Sequence, residues 1–292
     1  MASPRDIRRR IKSVRNTAQI TKAMQMVAAS KMRRAQQSAL ASRPYAALMN
    51  EVLGNVTFHA GDFTHPLMEQ REVRKRGLIV ISTDKGLSGA LNSNLLREAA
   101  RFDKTSTLYI TAGRKAAQFI VRTRRHLAAE FTYKDAPLFN EARAISNFAR
   151  NLFLRGEVDR VDVLFTNFIS TLSQKPELRP FLPVGEIKPV SASIPRLEEE
   201  AALMRGATEF IFEPGAGQVL GALLPHSLNF QIYQMLLEAK ASEQSARMVA
   251  MKNATDNAAQ LIKDLTLEYN KLRQAGITKE LLEIASAAMA MG

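Results

Sequence analysis

Along the last quarter of the chain, apolar or slender residues recur at Leu237, Ala241, Gln244, Met248, Met251, Thr255, Ala258, Ile262, Leu265, Tyr269 and Leu272. Steps of four and three alternate without a break, which is the heptad seam of a coiled-coil helix. Starting near Pro214-Gly215 the helix runs to about Met289, roughly 75 residues or about 110 Å at 1.5 Å per residue. Nothing that long fits inside a compact domain of this mass. A second helix starts at the other end of the chain. Ser3-Pro4 gives an N-cap followed by proline in the first turn, and Asp6 stands near the positive end of the dipole. Apolar or small residues follow at Ile7, Ile11, Val14 and Ala18, and the stripe resumes at Met24, Ala28, Met32, Ala35, Ala39, Ser42, Ala46, Met49, Leu53 and Val56. Pro44 interrupts it. An internal proline costs about 3 kcal/mol, so a bend is expected there rather than an end.

Between these helices the pattern changes to short apolar runs separated by helical stretches. RGLIVIST (76–83), STLYITAG (106–113) and RVDVLFTNFIS (160–170) read as buried strands, with helices over about 93–103, 114–124 and 139–155. Alternation of strand and helix predicts an α/β domain with a Rossmann-like parallel sheet. A polar, proline-containing stretch, roughly 171–207, leads to a final strand at EFIFEPG (209–215). The economical arrangement pairs the two terminal helices as a long antiparallel coiled coil. The expected domains are an N-terminal coiled-coil helix (1–58), a central α/β domain (75–207), and a final strand with the C-terminal coiled-coil helix (208–292).

Charge adds to this picture through its distribution. The net charge is +13. Residues 1–43 hold eleven Lys or Arg against the single acid Asp6, 11 − 1 = +10, while residues 226–292 hold seven basic and seven acidic side chains. The basic surface is therefore at the N-terminus, where an acidic partner is expected. The chain has 292 residues and no cysteine, which excludes disulfides, thiolate metal sites and cysteine nucleophiles. His59, His65, His126 and His226 lie far apart without ligand-like spacing. No apolar run reaches the roughly 20 residues of a membrane span, and MASPRDIRRR has no signal-like apolar stretch, so a soluble protein is expected.

Candidate chemistry is sparse. TDKGLSGALN (83–92) follows a strand and precedes a helix, but has neither GxxxxGK[ST] nor GxGxxG spacing, and its GLSG is not a nucleophile elbow. It reads as a tight strand-to-helix turn that also suits a protein contact. RDIRRRIKSVRN (5–16) suits an acidic protein, a solvated face or nucleic acid, although residues 1–44 offer no aromatic ring to stack on bases. Met24, Met26, Met32, Met248 and Met251 lie on or beside the stripes, as core residues or as an adaptable surface. ITKELLEIASAAMAMG (277–292) is unusually apolar for a free helix end and suits an apolar sleeve. No carboxylate pair, triad or metal cluster emerges, so no catalysis by this chain alone, and no cofactor, is expected.

Three stretches carry a resemblance: RRRIKSVRNTAQITKAMQMVAASKMRRAQ (8–36), ISTDKGLSGALN (81–92) and ASEQSARMVAMKNATDNAAQLIKDLTLEYNKLRQAGITKELLEI (241–284). Together they resemble the gamma subunit of F-type ATP synthase. The resemblance implies a non-catalytic central rotary stalk standing inside a ring of alpha and beta subunits. Its α/β domain would meet epsilon and the c-ring, with one copy per complex and membrane contact only through the complex. It places the complex at the cytoplasmic face of a bacterial inner membrane. Matching positions imply beta-subunit contacts at Lys22, Met24, Ser88, Arg247, Gln274, Thr278 and Glu280, and an axle tip including Ile284, Ala288 and Met289. Ala287-Ala288 stand where the family usually has Gly-Ala; alanine is the better helix former by about 1 kcal/mol, so the tail is stiffened. The competing reading is a stand-alone basic coiled-coil adaptor for nucleic acid or anionic membrane.

Overall fold

A computed structural model of the chain describes residues 3–59, 65–185, 213 and 215–291. Two long helices dominate: α1, Pro4–His59, and α5, Ala216–Met291. Between them lie β1 (Arg76–Ile81), α2 (Leu91–Ala100), β2 (Thr107–Ala112), α3 (Arg114–Arg122), β3 (His126–Phe131), α4 (Phe139–Leu154), β4 (Arg160–Phe168) and β5 (Gln174–Leu182). The helix α1 passes through Pro44 and α5 through Pro225 without ending. The strand expected at 209–215 falls almost wholly outside the described residues.

Contacts divide the chain into two compact units, Met1–Ala29 with Arg247–Gly292, and Ser30–Ala246. The second contains a five-stranded sheet of order β3-β2-β1-β4-β5. The first four strands pair in parallel, as the strand-helix alternation requires. Two strands were not foreseen. β3 is a half-exposed edge strand, HLAAEF, without a buried apolar run. β5 lies in the stretch read as a polar connection and is antiparallel, so the sheet is mixed. Its Pro176 and Pro180 are four residues apart and share one side of an edge strand, where a missing N–H leaves no ladder partner unsatisfied.

Alternation along the strands feeds two layers. Leu78 and Val80 of β1 join Leu95, Ala99, Ala116 and Ile120 of α2 and α3 on one face. Ile79 and Ile81 join α4 and the α5 residues Leu228, Ile232, Met235 and Leu236 on the other. Further along, Leu53 and Val56 of α1 pack with Leu220 and Leu224 of α5. Gly113 connects β2 to α3 at φ +105, where a Cβ would stand 2.2 Å from the Ser82 carbonyl oxygen, so only glycine fits.

Buried polar groups fasten α5 to this unit. Ser242 donates to the Thr166 carbonyl at 3.0 Å and Ser245 to that of Thr171 at 2.8 Å. Lys240, only 7 % exposed, pairs with Asp135 and Glu243, each at 3.0 Å. Lys31 of α1 pairs with the other oxygen of Asp135, so one carboxylate from the β3–α4 loop holds both long helices. The Lys31 hydrogen bond first, and that of Lys240 second, hold the Asp135 carboxyl well below its usual pKa. A carboxylate depressed in this way stabilises the fold above its unfolded value of 3.8, and that contribution is lost as pH falls through the lower folded value. Asp135→Asn is therefore expected to lower stability by about 1 kcal/mol between about pH 5 and 8. The gap between the two proteins closes as pH drops below that range, a trend that denaturant titrations followed by circular dichroism will read.

Candidate functional site

The unit formed by Met1–Ala29 and Arg247–Gly292 holds most of the sequence-predicted site residues. Helix α1 starts as its sequence dictates. Ser3 Oγ donates to Asp6 at 2.7 Å while the Asp6 N–H returns a bond to Ser3 Oγ, a reciprocal cap that satisfies the first turn. The bonds from Ser3 hold the Asp6 pKa below its ordinary value.

The seam follows a buried or half-buried stripe on α1 at Ile7, Ile11, Val14, Ala18, Thr21, Gln25 and Ala28, in steps of four and three. On α5 the corresponding stripe is Met248, Met251, Thr255, Ala258, Ile262, Leu265 and Tyr269. Thr21 and Thr255 meet across it with their hydroxyls 2.7 Å apart, and this bond sets an antiparallel register. Each hydroxyl also approaches a carbonyl of its own helix, Thr21 that of Ala18 at 3.1 Å and Thr255 that of Met251 at 2.9 Å. Two protons serve three contacts, so the pair shares its bonding between the helices. Thr21 and Gln25 fill the gap that the apolar pattern left after Ala18. The signal that finds them is the spacing, since each falls three or four residues beyond its predecessor.

With Thr21 opposite Thr255, paired positions sum to 276, and Pro4 at the start of α1 comes opposite Leu272. From Arg273 to Ala287 every residue of α5 is exposed. The apolar members Ile277, Leu281, Leu282 and Ile284 are 51 to 67 % exposed, and Met289 is 85 % exposed. The helix thus presents bare apolar surface on a backbone that hydrogen-bonds only to itself.

The expected contact residues fall on this outer surface to different degrees. Lys22, Gln274, Thr278 and Glu280 are exposed, whereas Met24 and Arg247 are half-buried. The Thr278 hydroxyl is turned back onto the Gln274 carbonyl at 3.0 Å. Ala288 lies within α5. Arg5, Arg8, Arg10, Lys12, Arg15 and Lys22 are exposed, and among the described residues none forms a salt bridge; Arg9 alone reaches Asp6, at 3.7 Å. Ile20, Met26 and Val27 expose 54 to 61 % of their surface beside these cations. Unpaired cations next to bare apolar side chains form a surface suited to a partner with both acidic and apolar groups.

Ser88 belongs to the other unit and is 2 % exposed. Its hydroxyl accepts from Asn92 Nδ2 at 3.4 Å, and the same amide donates to Thr83 Oγ1 at 2.8 Å. The loop faces outward through Lys85 and Leu87 instead, and Leu87 is held at φ 64. This loop leaves β1 next to the point where strand order reverses, the usual ligand crevice of such sheets. On the β2 side of β1 the loop ends are tied by the chain's own bonds: Ser82 Oγ donates to the Gly113 carbonyl at 3.1 Å, and Tyr133 OH to the Ser82 carbonyl at 2.9 Å. Among the described residues no cluster of side chains suits a metal ion, and no helix is long and apolar enough to cross a membrane.

Comparison with known proteins gives a consistent result. A family model described as ATP synthase matches residues 3–291. The ATP synthase gamma chain of Opitutus terrae is 50 % identical over 292 residues, covering 99 % of each chain. Those of Methylacidiphilum infernorum and Roseiflexus castenholzii are 46 and 48 % identical, each covering at least 99 % of both chains. Among solved structures, a chain of the Euglena gracilis mitochondrial ATP synthase rotor is similar with a TM-score of 0.69, at 18 % identity over 94 % of this chain and 98 % of that one. A chain from the central stalk of the Tetrahymena thermophila enzyme gives a TM-score of 0.61, at 24 % identity over 80 and 99 % of the two. At these identities the structures speak for the fold.

The threonine pair generates a test. In a double-mutant cycle of Thr21→Val and Thr255→Val, the coupling energy measured by urea unfolding is expected to be about 0.5–1 kcal/mol. A value near zero means that each hydroxyl serves only its own helix.

Proposed function

Because the chain belongs to the gamma-chain family of ATP synthase, we propose that it is the central rotary stalk of that enzyme, linking ion-driven rotation to conformational change at the catalytic sites of the beta subunits. The observation that carries this reading is the two-helix coil of the first unit. Its slender seam is closed by Thr21 and Thr255, and its cations and large apolar groups are turned outward.

The mechanism follows from asymmetry. The outer surface of α1 is strongly basic and that of α5 is mixed, so three identical neighbours around the coil meet three different faces. A face that binds one beta conformation better than another shifts that subunit by the difference in affinity, and a factor of ten corresponds to about 1.4 kcal/mol. A face that binds both equally shifts nothing. Turning the coil therefore passes each beta subunit through the states in sequence, and ATP is released without any side chain of this chain touching it. Driven backward by hydrolysis, the same contacts pump protons. The subunit is non-catalytic and holds no cofactor.

In this reading Lys22, Met24, Arg247, Gln274, Thr278 and Glu280 meet the beta subunits. At the loop after β1, where Ser88 is buried, Lys85 and Leu87 supply the contact surface. The tail with Ile284, Ala288 and Met289 turns in an apolar sleeve of the alpha–beta ring. The α/β unit meets epsilon and the c-ring. One copy serves each complex, held at the cytoplasmic face of the bacterial inner membrane through its neighbours, and nucleic acid is not a partner.

Mixing the purified chain with alpha and beta subunits is expected to yield a stable complex with ATPase activity. Failure to assemble, with salt-sensitive DNA binding in its place, overturns the proposal. Met24→Lys adds a cation beside Lys22 on the half-buried shoulder of α1. The complex is expected to assemble and hydrolyse ATP while proton-driven synthesis falls by about tenfold, the effect of losing about 1.4 kcal/mol of differential contact. Unchanged synthesis in membrane vesicles contradicts the placement of Met24.

A further inference from the structure

Within the unit Ser30–Ala246 an open pocket of about 440 Å3 lies between α4 and the first turns of α5. Its polar lining is Arg143, Asn147 and Arg150 from α4, with His226 and Asn229 from α5. The α4 residues are spaced by four and three, so they share one face of the helix. Two like charges thus point into one cavity, and among the described residues neither arginine forms a salt bridge. The single acid of α4, Glu141, is spent on the helix start, where it accepts from the N–H groups of Leu138 at 2.9 Å and Lys134 at 3.2 Å.

The burial of these groups makes the arrangement unusual. Arg150 is half-buried, one terminal nitrogen donates to Asn147 Oδ1, and its buried Nε has no hydrogen-bond partner. Burial first, and the charge of Arg143 second, lower its pKa from the ordinary arginine value. Across the cavity Asn229 is 7 % exposed, and its buried Oδ1 is likewise unpartnered. Turning that amide end for end directs its N–H groups to the same place. A desolvated guanidinium without a counter-ion is costly, and an oxyanion between two guanidiniums removes the cost. Two fixed positive charges match a phosphate dianion better than a single carboxylate. The cavity also leaves room beyond the phosphorus for a small organic group, against the ring of Phe139 and against Pro225.

We propose that this pocket is a phosphate-binding site, taking inorganic phosphate, pyrophosphate or a small phosphate ester between Arg143 and Arg150 of α4 and Asn229 of α5. The bound anion ties α4 to α5 within the unit, which gives the fastening of the long helix a dependence on a soluble ligand. Neither arginine belongs to the surface assigned to the beta subunits, so the proposal stands apart from the rotor reading.

Calorimetric titration of the full chain with phosphate, pyrophosphate and ribose 5-phosphate tests it. Saturable binding is expected for at least one probe, weakened about tenfold by Arg150→Gln, as for loss of a charge-assisted contact. Arg143 is exposed, so Arg143→Gln leaves the fold intact and is expected to weaken the same binding. Asn229→Asp, which sets a carboxylate against the anion, is expected to abolish it, with circular dichroism confirming that each variant is folded. Tighter binding of ribose 5-phosphate than of phosphate identifies the ester as the occupant, and the reverse order identifies the inorganic ion. No saturable heat with any of the three probes, or binding that both arginine variants leave unchanged, overturns the site.

Discussion

A helix of 76 residues satisfies its own backbone but has no way to bury its own side chains, so the structure depends on what closes against its narrow stripe. In the unit of the two chain ends that partner is α1, and the contact is made by slender groups, with Ala18, Thr21 and Ala28 facing Ala258, Thr255 and Met248. Small side chains such as Ala18, Ala28 and Ala258 discriminate little between one register and another. The hydroxyl pair at Thr21 and Thr255 supplies that discrimination. A polar pair inside a seam is satisfied in one alignment and stranded in its neighbours.

In the other unit the same two helices are held differently. Here α5 is buried on the sheet through Leu228, Ile232, Met235 and Leu236, while Ser242 donates to a carbonyl of β4, Ser245 to one in the β4–β5 connection, and Glu243 pairs with Lys240. Asp135 reaches α1 and α5 together. Contacts of this kind resist sliding and rotation better than apolar contacts alone, because a hydrogen bond or ion pair weakens within a few tenths of an ångström of displacement. A helix that must transmit a twist has to be anchored in such a way somewhere along its length.

Much of this architecture was legible in the sequence because it rests on period. The alternation of four and three from Leu237 to Leu272 located the middle of α5, Pro214-Gly215 marked its start, and the apolar runs located β1, β2 and β4. On α1 the reading lapsed where polar residues carry the period, at Thr21 and Gln25, because the apolar Met24 beside Gln25 took its place in the stripe. Edge strands escaped for a related reason: β3 is half-exposed and alanine-containing, and β5 carries two prolines that only an edge tolerates. The expected contact residues came from resemblance; among them the Ser88 side chain is buried, while Leu87 of the same loop is exposed. The Lys31–Asp135–Lys240 cluster left no local signal. Its members are more than a hundred positions apart in the chain, and only the fold brings the carboxylate between the two amines.

The heptad spacing of the seam has a mechanical consequence. A repeat of seven residues lags the natural turn of an α-helix by about 20° per heptad, so the two helices wrap around each other to the left. A left-handed pair of strands does not respond equally to the two senses of twist. Torque applied in the sense of the wrapping winds the strands together and compresses the alanine and threonine seam, which has little room to yield. Torque in the opposite sense unwinds them and opens that seam to water. The shaft is therefore a spring with a stiff direction and a soft one, and its handedness is written in nothing more than the choice of seven over eleven.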